Sequence, residues 1–341
     1  MSEQYLIYGA ELSPYSVKIR AYFRYKEIPH KWIIRDQKSN TEYKKFAKLP
    51  IVPLVVTPEK TGLQDSTPII KLLEHEYQNN SVSPPETHTA FVARILEEYA
   101  DEWLNKAMFH YRWRYEDDQM SASERFVELI IPVWANKIPL LNRVLKRKFA
   151  ATVRKRMIAR LWVVGSNKST EIQIEQSLNI FLHLSEQHLQ DRPYFFGFRP
   201  SIADFGIWGQ VYNMWTDPTV GQIIESSHPE TLKWIKRMLH PKLEGEFEPW
   251  ESLEATLMPI LKQELADVFM PWLEANNKAL AKGEKELSVK IKGKDFTHSV
   301  GSPQKYHAKS FAMLLEEYND IPDKTKLDAV LQEAGLINYF K

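Results

Sequence analysis

Apolar residues in the first 78 positions follow two alternating periods. Tyr5-Leu6-Ile7-Tyr8 is a short apolar and aromatic run with strand character. The spacing then changes, with Tyr15, Ile19, Tyr22 and Phe23 at i, i+4, i+7 and i+8. This is one buried helix face, with Lys18, Arg20 and Arg24 directed elsewhere. Pro14 suits the first helical position, where its missing N–H costs nothing, and Ser13 suits the N-cap. His30-Lys31-Trp32-Ile33-Ile34 is a second strand, parallel to the first by the crossover rule. Thr41 to Lys48 is a short polar helix, Leu54-Val55-Val56 a third strand, Thr57 to Gly62 a turn, and Leu63 begins a fourth strand. Pro68 to Tyr77 closes the unit as a helix, with Thr67 as its cap and Ile69, Leu72 and Leu73 inward. The order is βαβαββα, and the polar, proline-bearing stretch 79–87 follows as a linker.

Helical periods then take over. Phe91, Ile95, Tyr99, Trp103 and Leu104 stripe a long helix from 88 to about 118. Trp162 to Leu189 and Phe205 to Tyr212 supply bundle core, with Trp208, Tyr212, Met214 and Trp215 as core residues. Ser201 and Asp204 fit a capping pair, the Ser side chain meeting the third amide while the acid reaches back. Beyond Trp250 the pattern predicts a helix over Leu257 to Leu280. Glu286 to Ile291 then alternates, turns at Lys292-Gly293-Lys294 and returns through Phe296 to Val300, a hairpin signal. Helices at Lys305 to Tyr318, with Phe311, Leu314 and Leu315 inward, and at Leu327 to Leu336 complete the chain. The expected division is 1–78, linker 79–87, an all-helical domain 88–250, and an extension 251–341 with its hairpin at 286–300.

Composition narrows the function classes. The 341 residues exceed one domain of ordinary size, and 43% hydrophobic with 26% charged content is ordinary for a globular protein. A net charge of +1 gives no global field toward nucleic acid. There is no basic-then-apolar leader pattern and no apolar run of membrane-spanning length, so a cytoplasmic protein is expected. The chain has no cysteine, which excludes disulfides, thiolate metal sites and a cysteine nucleophile. His183 and His188 are five apart and cannot share a helix face, so no metal is expected.

Ser13-Pro14-Tyr15-Ser16 at a strand-to-helix junction, Val52-Pro53 before the third strand, Asp65-Ser66 before the last helix of the unit, and the segment Pro200 to Asp204 occur in order. Together with βαβαββα they resemble the glutathione transferase superfamily, covering the chain to about residue 245. The resemblance implies a thioredoxin-like domain followed by an all-helical one, with glutathione as co-substrate and a homodimer. It gives Ser13 the hydrogen bond to the glutathione sulfur, where a donor and a helix N-terminus lower the thiol pKa from about 8.5 toward neutrality. It makes Pro53 a cis proline whose neighbour Val52 pairs with the tripeptide backbone. Asp65 meets the γ-glutamyl ammonium and Ser66 its carboxylate. Lys38, between the second strand and second helix, is assigned the glycine carboxylate. Tyr8, at the place of the tyrosine used by other members, is the alternate to Ser13 and otherwise packs the strand.

The resemblance places the electrophile wall at Tyr15 and at the aromatic and cationic segment around Met108, His110, Tyr111, Arg112 and Trp113, a segment that equally suits helix packing. Between Leu129 and Thr170 no acidic residue occurs, while Lys137, Arg143, Lys146, Arg147, Lys148, Arg154, Lys155, Arg156, Arg160 and Lys168 are basic. Preceded by the apolar run Phe126 to Trp134, this strip suits an anionic membrane surface or a solvated helix faced by acids from elsewhere. The expected activity is attack of an activated glutathione thiolate on an electrophilic carbon or peroxide. A non-catalytic carrier of conjugates or apolar ligands, and a membrane-surface or assembly factor with a vestigial pocket, remain alternatives.

Overall fold

The computed structural model describes residues 4–131 and 139–341. Pro132, Val133, Trp134 and Lys137, which belong to the expected apolar-basic strip, lie outside the described residues.

The chain begins β1 (Tyr5–Gly9), α1 (Pro14–Tyr25), β2 (His30–Ile34), α2 (Asn40–Phe46), β3 (Leu54–Val56), β4 (Gly62–Gln64) and α3 (Ser66–Glu76). These form one four-stranded sheet in the order β2-β1-β3-β4, with β1 and β2 parallel and the remaining pairs antiparallel. The two-residue period of β1 sorts its side chains to opposite faces. Tyr5 and Ile7 join the main core with Val17, Phe23, Ile70 and Leu73, whereas Tyr8 packs with Tyr43, Leu54 and Val56 beneath α2. The last helix starts earlier than predicted, with Asp65 at the N-cap position in place of Thr67. Ile70 is buried where Leu72 was expected, and Leu72 is exposed.

The helical part runs through α4 (Thr87–Tyr99), α5 (Asn105–Arg114), α6 (Glu116–Ile130), α7 (Pro139–Ile158), α8 (Glu171–His188), α9 (Ile202–Trp215), α10 (Pro218–Ser227) and α11 (Pro229–Arg237). The expected single helix from 88 to about 118 is divided. Ala100–Leu104 is a π-helical segment, and Tyr115 adopts extended backbone that separates α5 from α6. The capping pair of α9 is complete, with the Asp204 amide donating to Ser201 Oγ at 3.4 Å and the Ser201 amide to Asp204 Oδ2 at 2.8 Å. Asp204 Oδ1 also accepts from the Phe195 amide and the Trp234 indole, so the cap ties three segments together.

α1 crosses α9 closely. A Cβ placed on Gly209 would stand 2.7 Å from the Pro14 carbonyl oxygen, closer than real Cβ atoms approach, so glycine is required there. Because α1 is covered by the sheet on one side and by helices on the other, Lys18 and Arg20 are buried, contrary to the expectation from its periodicity.

The extension continues with α12 (Trp250–Ile260), a π-helical segment Leu261–Phe269 and α13 (Met270–Lys282), followed by the hairpin β5 (Glu286–Ile291) and β6 (Lys294–Ser299). α14 (Ser302–Asn319) and α15 (Thr325–Glu333) complete it. It shares one apolar core with the rest: Phe91 of α4 meets the rings of Tyr318 and Phe340, and Leu314 is fully buried. Leu315 is partly buried against the same core.

Candidate functional site

A cavity of about 660 Å³ lies between the first domain, the α4–α5 rod and α14. The first domain supplies Tyr15, Arg35, Val52, Pro53, Asp65, Ser66 and Thr67. The Val52–Pro53 bond is cis, as the resemblance implied. Asp65 has φ +83°, a region costly for a residue with a Cβ and tolerated where surrounding contacts over-determine it. Those contacts are visible: its carbonyl accepts from the Ile69 amide at 3.2 Å, and its Oδ2 accepts from the Tyr306 hydroxyl of α14. Ser66 follows, buried at the start of α3, where free amides and the helix dipole favour an anion.

Ser13 caps α1 as predicted, its Oγ accepting from the Ser16 amide at 3.3 Å. That bond occupies a lone pair and leaves the hydroxyl hydrogen available to donate. Ser13 is half-buried and is not among the residues that line the cavity, whereas Tyr15, two positions on, is. The Tyr15 hydroxyl donates to the Asp101 carbonyl at 2.9 Å, and burial, reinforced by Asp101, keeps the phenol protonated. Tyr8 is not on the lining either; it packs edge-on against Tyr43 with centroids 6.0 Å apart.

In the middle of the cavity wall two cations are paired with four carboxylates. Lys18 donates to Glu97 Oε1 at 2.5 Å and to Asp101 Oδ2 at 2.6 Å, and Thr67 donates to Glu97 at 2.6 Å. Arg94 reaches Glu97 at 2.6 Å, Glu98 at 3.1 Å and Glu317 of α14 at 3.3 Å. Burial opposes the charged forms throughout this cluster, but the flanking cations outweigh it at Glu97, which titrates below its ordinary range. At Asp101 burial prevails over Lys18, with Glu97 and Glu98 adding to it, and the carboxyl is pushed up to about 6. Its Oδ1 has no hydrogen-bond partner.

Several predicted residues lie elsewhere. Lys38 is exposed and does not line the cavity; Arg35, three positions earlier, does, with its guanidinium 4.6 Å over the Tyr43 ring. Met108, Tyr111, Arg112 and Trp113 are buried in the helical core and none of them lines the cavity. Arg112 is fully engaged, with bonds to Asp217 at 2.6 Å, the Leu12 carbonyl at 2.9 Å and the Asn213 carbonyl and side chain at 3.0 Å. His110 is held by Ser166 at 2.7 Å and Glu175 at 3.0 Å. The rod instead presents Asp101, Glu102, Asn105 and Lys106 to the cavity, one helical face.

The sequence reading missed that face and, although it predicted the helix that is α14, named none of its residues as cavity-lining. Lys106 had a local signal, a lone cation interrupting an apolar stripe. Tyr306, His307 and Met313, which close the cavity, had none, since they are brought there by packing of the extension. A second hollow of about 710 Å³ lies between α3, the linker and α4, and none of the predicted site residues lines it.

Residues 7–81 match the family model described as glutathione S-transferase, N-terminal domain. No curated protein matches the chain. Among solved structures, a glutathione S-transferase of Methylobacterium radiotolerans in complex with glutathione sulfonate is 17% identical, with TM-score 0.41, over 69% of this chain and 90% of that one. A Tau class glutathione S-transferase of mango is 15% identical, with TM-score 0.44, over 70% and 89%. A β-etherase of a Sphingobium strain is 15% identical, with TM-score 0.43, over 74% and 98%.

Proposed function

Residues 7–81 are a glutathione S-transferase N-terminal domain, and from that premise we propose that the chain binds glutathione in the cavity and activates its thiol for attack on an electrophilic or peroxide substrate. The observation that carries this reading is the convergence of Val52, cis-Pro53, Asp65 and Ser66 on one cavity beneath the N-terminal turn of α1 and α3. Val52 pairs with the tripeptide backbone, the Asp65 carboxylate faces the γ-glutamyl ammonium, and the Ser66 hydroxyl and amide face its carboxylate. Arg35 takes the glycine carboxylate in place of Lys38, because it is the cation that the first domain contributes to the lining. Ser13 donates its hydroxyl hydrogen to the thiolate. In the attack the sulfur lone pair forms the new bond, the leaving group departs with its electron pair, and the thiol proton goes to solvent.

Ser13→Ala tests the proposal. The bound thiol should titrate at higher pH, and turnover should fall by about two to three orders of magnitude, the usual loss for one preorganised donor. Glutathione affinity should change far less, since the remaining contacts hold the tripeptide. Identical thiolate absorbance titrations for both proteins, with glutathione bound in each, would remove Ser13 from the chemistry. Binding of glutathione without turnover on a panel of electrophiles would favour the carrier reading. A homodimer accompanies the resemblance and is checked by sedimentation equilibrium.

One observation favours a second, compatible role. On and just after α7, Val144, Ile158 and Trp162 are exposed beside exposed Arg143, Arg147, Lys155, Arg156 and Arg160. Partial neutralisation comes from Glu128, paired with Lys146, and from Glu116 near Arg154. Such a surface suits anionic membrane. Co-sedimentation with anionic vesicles should fall as salt shortens the Debye length, and absence of binding at low salt would end this reading.

A further inference from the structure

Lys106 is 1% exposed, lines the cavity, and among the described residues has no hydrogen bond or ion pair. Its ammonium stands 3.8 Å from the centroid of the fully buried Trp272 indole, whose face offers partial compensation. Groups from every side leave it unneutralised. His298 of β6 feels its charge and is held neutral, pushed down to about 3 by burial and then by Lys106. Glu102, one turn before Lys106, contacts His307 of α14, whose ring burial pushes down to about 4 and so leaves neutral at pH 6 and above, and Asp101 is paired with Lys18. Burial alone pushes the Lys106 ammonium down to about 7.

The other cations of the wall differ. Arg94 is neutralised by three carboxylates, Lys309 is exposed to water, and Arg35 lies half-buried at the first-domain end. Away from the polar face of the rod, the lining includes the apolar side chains Val163, Val164, Pro303 and Met313. A buried cation without a counter-charge is costly to the free protein, and the cost is relieved by a ligand that brings the missing anion.

We propose that Lys106 is the receptor for a carboxylate on the second substrate, which is therefore an apolar acid. The inference rests on reading the cavity as the site of that substrate. The acid's body lies against the Val163, Val164 and Met313 surface while its carboxylate meets the ammonium over Trp272.

The test is calorimetric titration at pH 6 with 1-naphthoate and with methyl 1-naphthoate, in the presence and absence of glutathione. The wild-type protein should bind the carboxylate about tenfold or more tighter than the ester, the scale of a charged hydrogen bond. Lys106→Met should abolish that preference and leave glutathione affinity unchanged, and Lys106→Arg should retain part of it. Equal binding of acid and ester by the wild-type protein would overturn the proposal, as would a preference surviving in Lys106→Met. A tenfold loss of glutathione affinity in Lys106→Met would also overturn it, by assigning the ammonium to the tripeptide. If glutathione does not bind at all, the proposed function fails, while the naphthoate pair still decides the role of Lys106.

Discussion

Where α1 meets α4, and where α5 meets α13, the molecule buries a lysine to nearly the same extent, 0% exposed at Lys18 and 1% at Lys106. The surroundings differ. Lys18 has two carboxylates within 2.6 Å, which outweigh the effect of burial and raise its pKa. Lys106 has an indole face, and its pKa falls. Burial therefore does not assign a role to a cation. The fold uses the first ammonium to join two domains, and leaves the second to be completed by something that enters the cavity.

The largest expected effect tests the Lys18 side of that contrast. Lys18→Met leaves buried Asp101 without a cation and Glu97 with Arg94 alone, and should cost on the order of 3–5 kcal/mol in denaturant unfolding near neutral pH. The deficit should shrink toward pH 5, because the stranded carboxyls take up protons; a deficit constant with pH would show that the ion pairs do not carry the loss.

Next in size is the opposite behaviour at Lys106. Its folded pKa of about 7 lies below the unfolded value near 10.4, so the native state binds fewer protons between those limits. Wild-type stability from this group therefore rises with pH through that window. Lys106→Met should be more stable than wild type by roughly 2–4 kcal/mol at pH 6, a gain that declines by pH 9.5. A stability loss at pH 6 would show that the ammonium has a partner in the folded protein.

The smallest expected effect concerns the contact between the extension and the first domain. Tyr306→Phe should lower stability by about 1 kcal/mol, and a double-mutant cycle with Asp65→Asn should give a coupling of similar size. Additive changes would mean that α14 lies against Asp65 without interacting with it.

The contrast also explains what the sequence made legible. β2 and β3 have the predicted limits, because strands and turn residues are local signals, and Val52, Pro53, Asp65 and Ser66, which the resemblance singled out, line one cavity. The resemblance set the electrophile wall at Met108 to Trp113, a segment that equally suited helix packing, and the structure shows packing. Reading a continuous helix from 88 to 118 assumes a period of 3.6, but the π-helical turn at Ala100–Leu104 widens the spiral and shifts the faces that follow. Met108, Tyr111 and Trp113 consequently turn to the core, while Asn105 and Lys106 turn to the cavity. Arg112 was expected on that wall, yet Asp217, more than a hundred positions away, holds it in the core. Lys18 misled in the same way: amphipathic periodicity assigns one dry face to a helix, and α1 has two. Nothing local in Tyr306 or His307 announces a cavity, since their position depends on how the extension folds back over α4.

The Tyr306–Asp65 contact spans 241 residues of sequence, against 86 for the Tyr15–Asp101 contact on the same cavity. Closing so long a loop carries an entropic cost that must be met before the contact forms, and contacts of this range are made late in folding. As the chain emerges during synthesis, the half of the cavity built by residues 15 to 106 can exist before the helix that closes it. A bound tripeptide at that stage would meet an open trough, and the selective chamber would arise only with the final folding step.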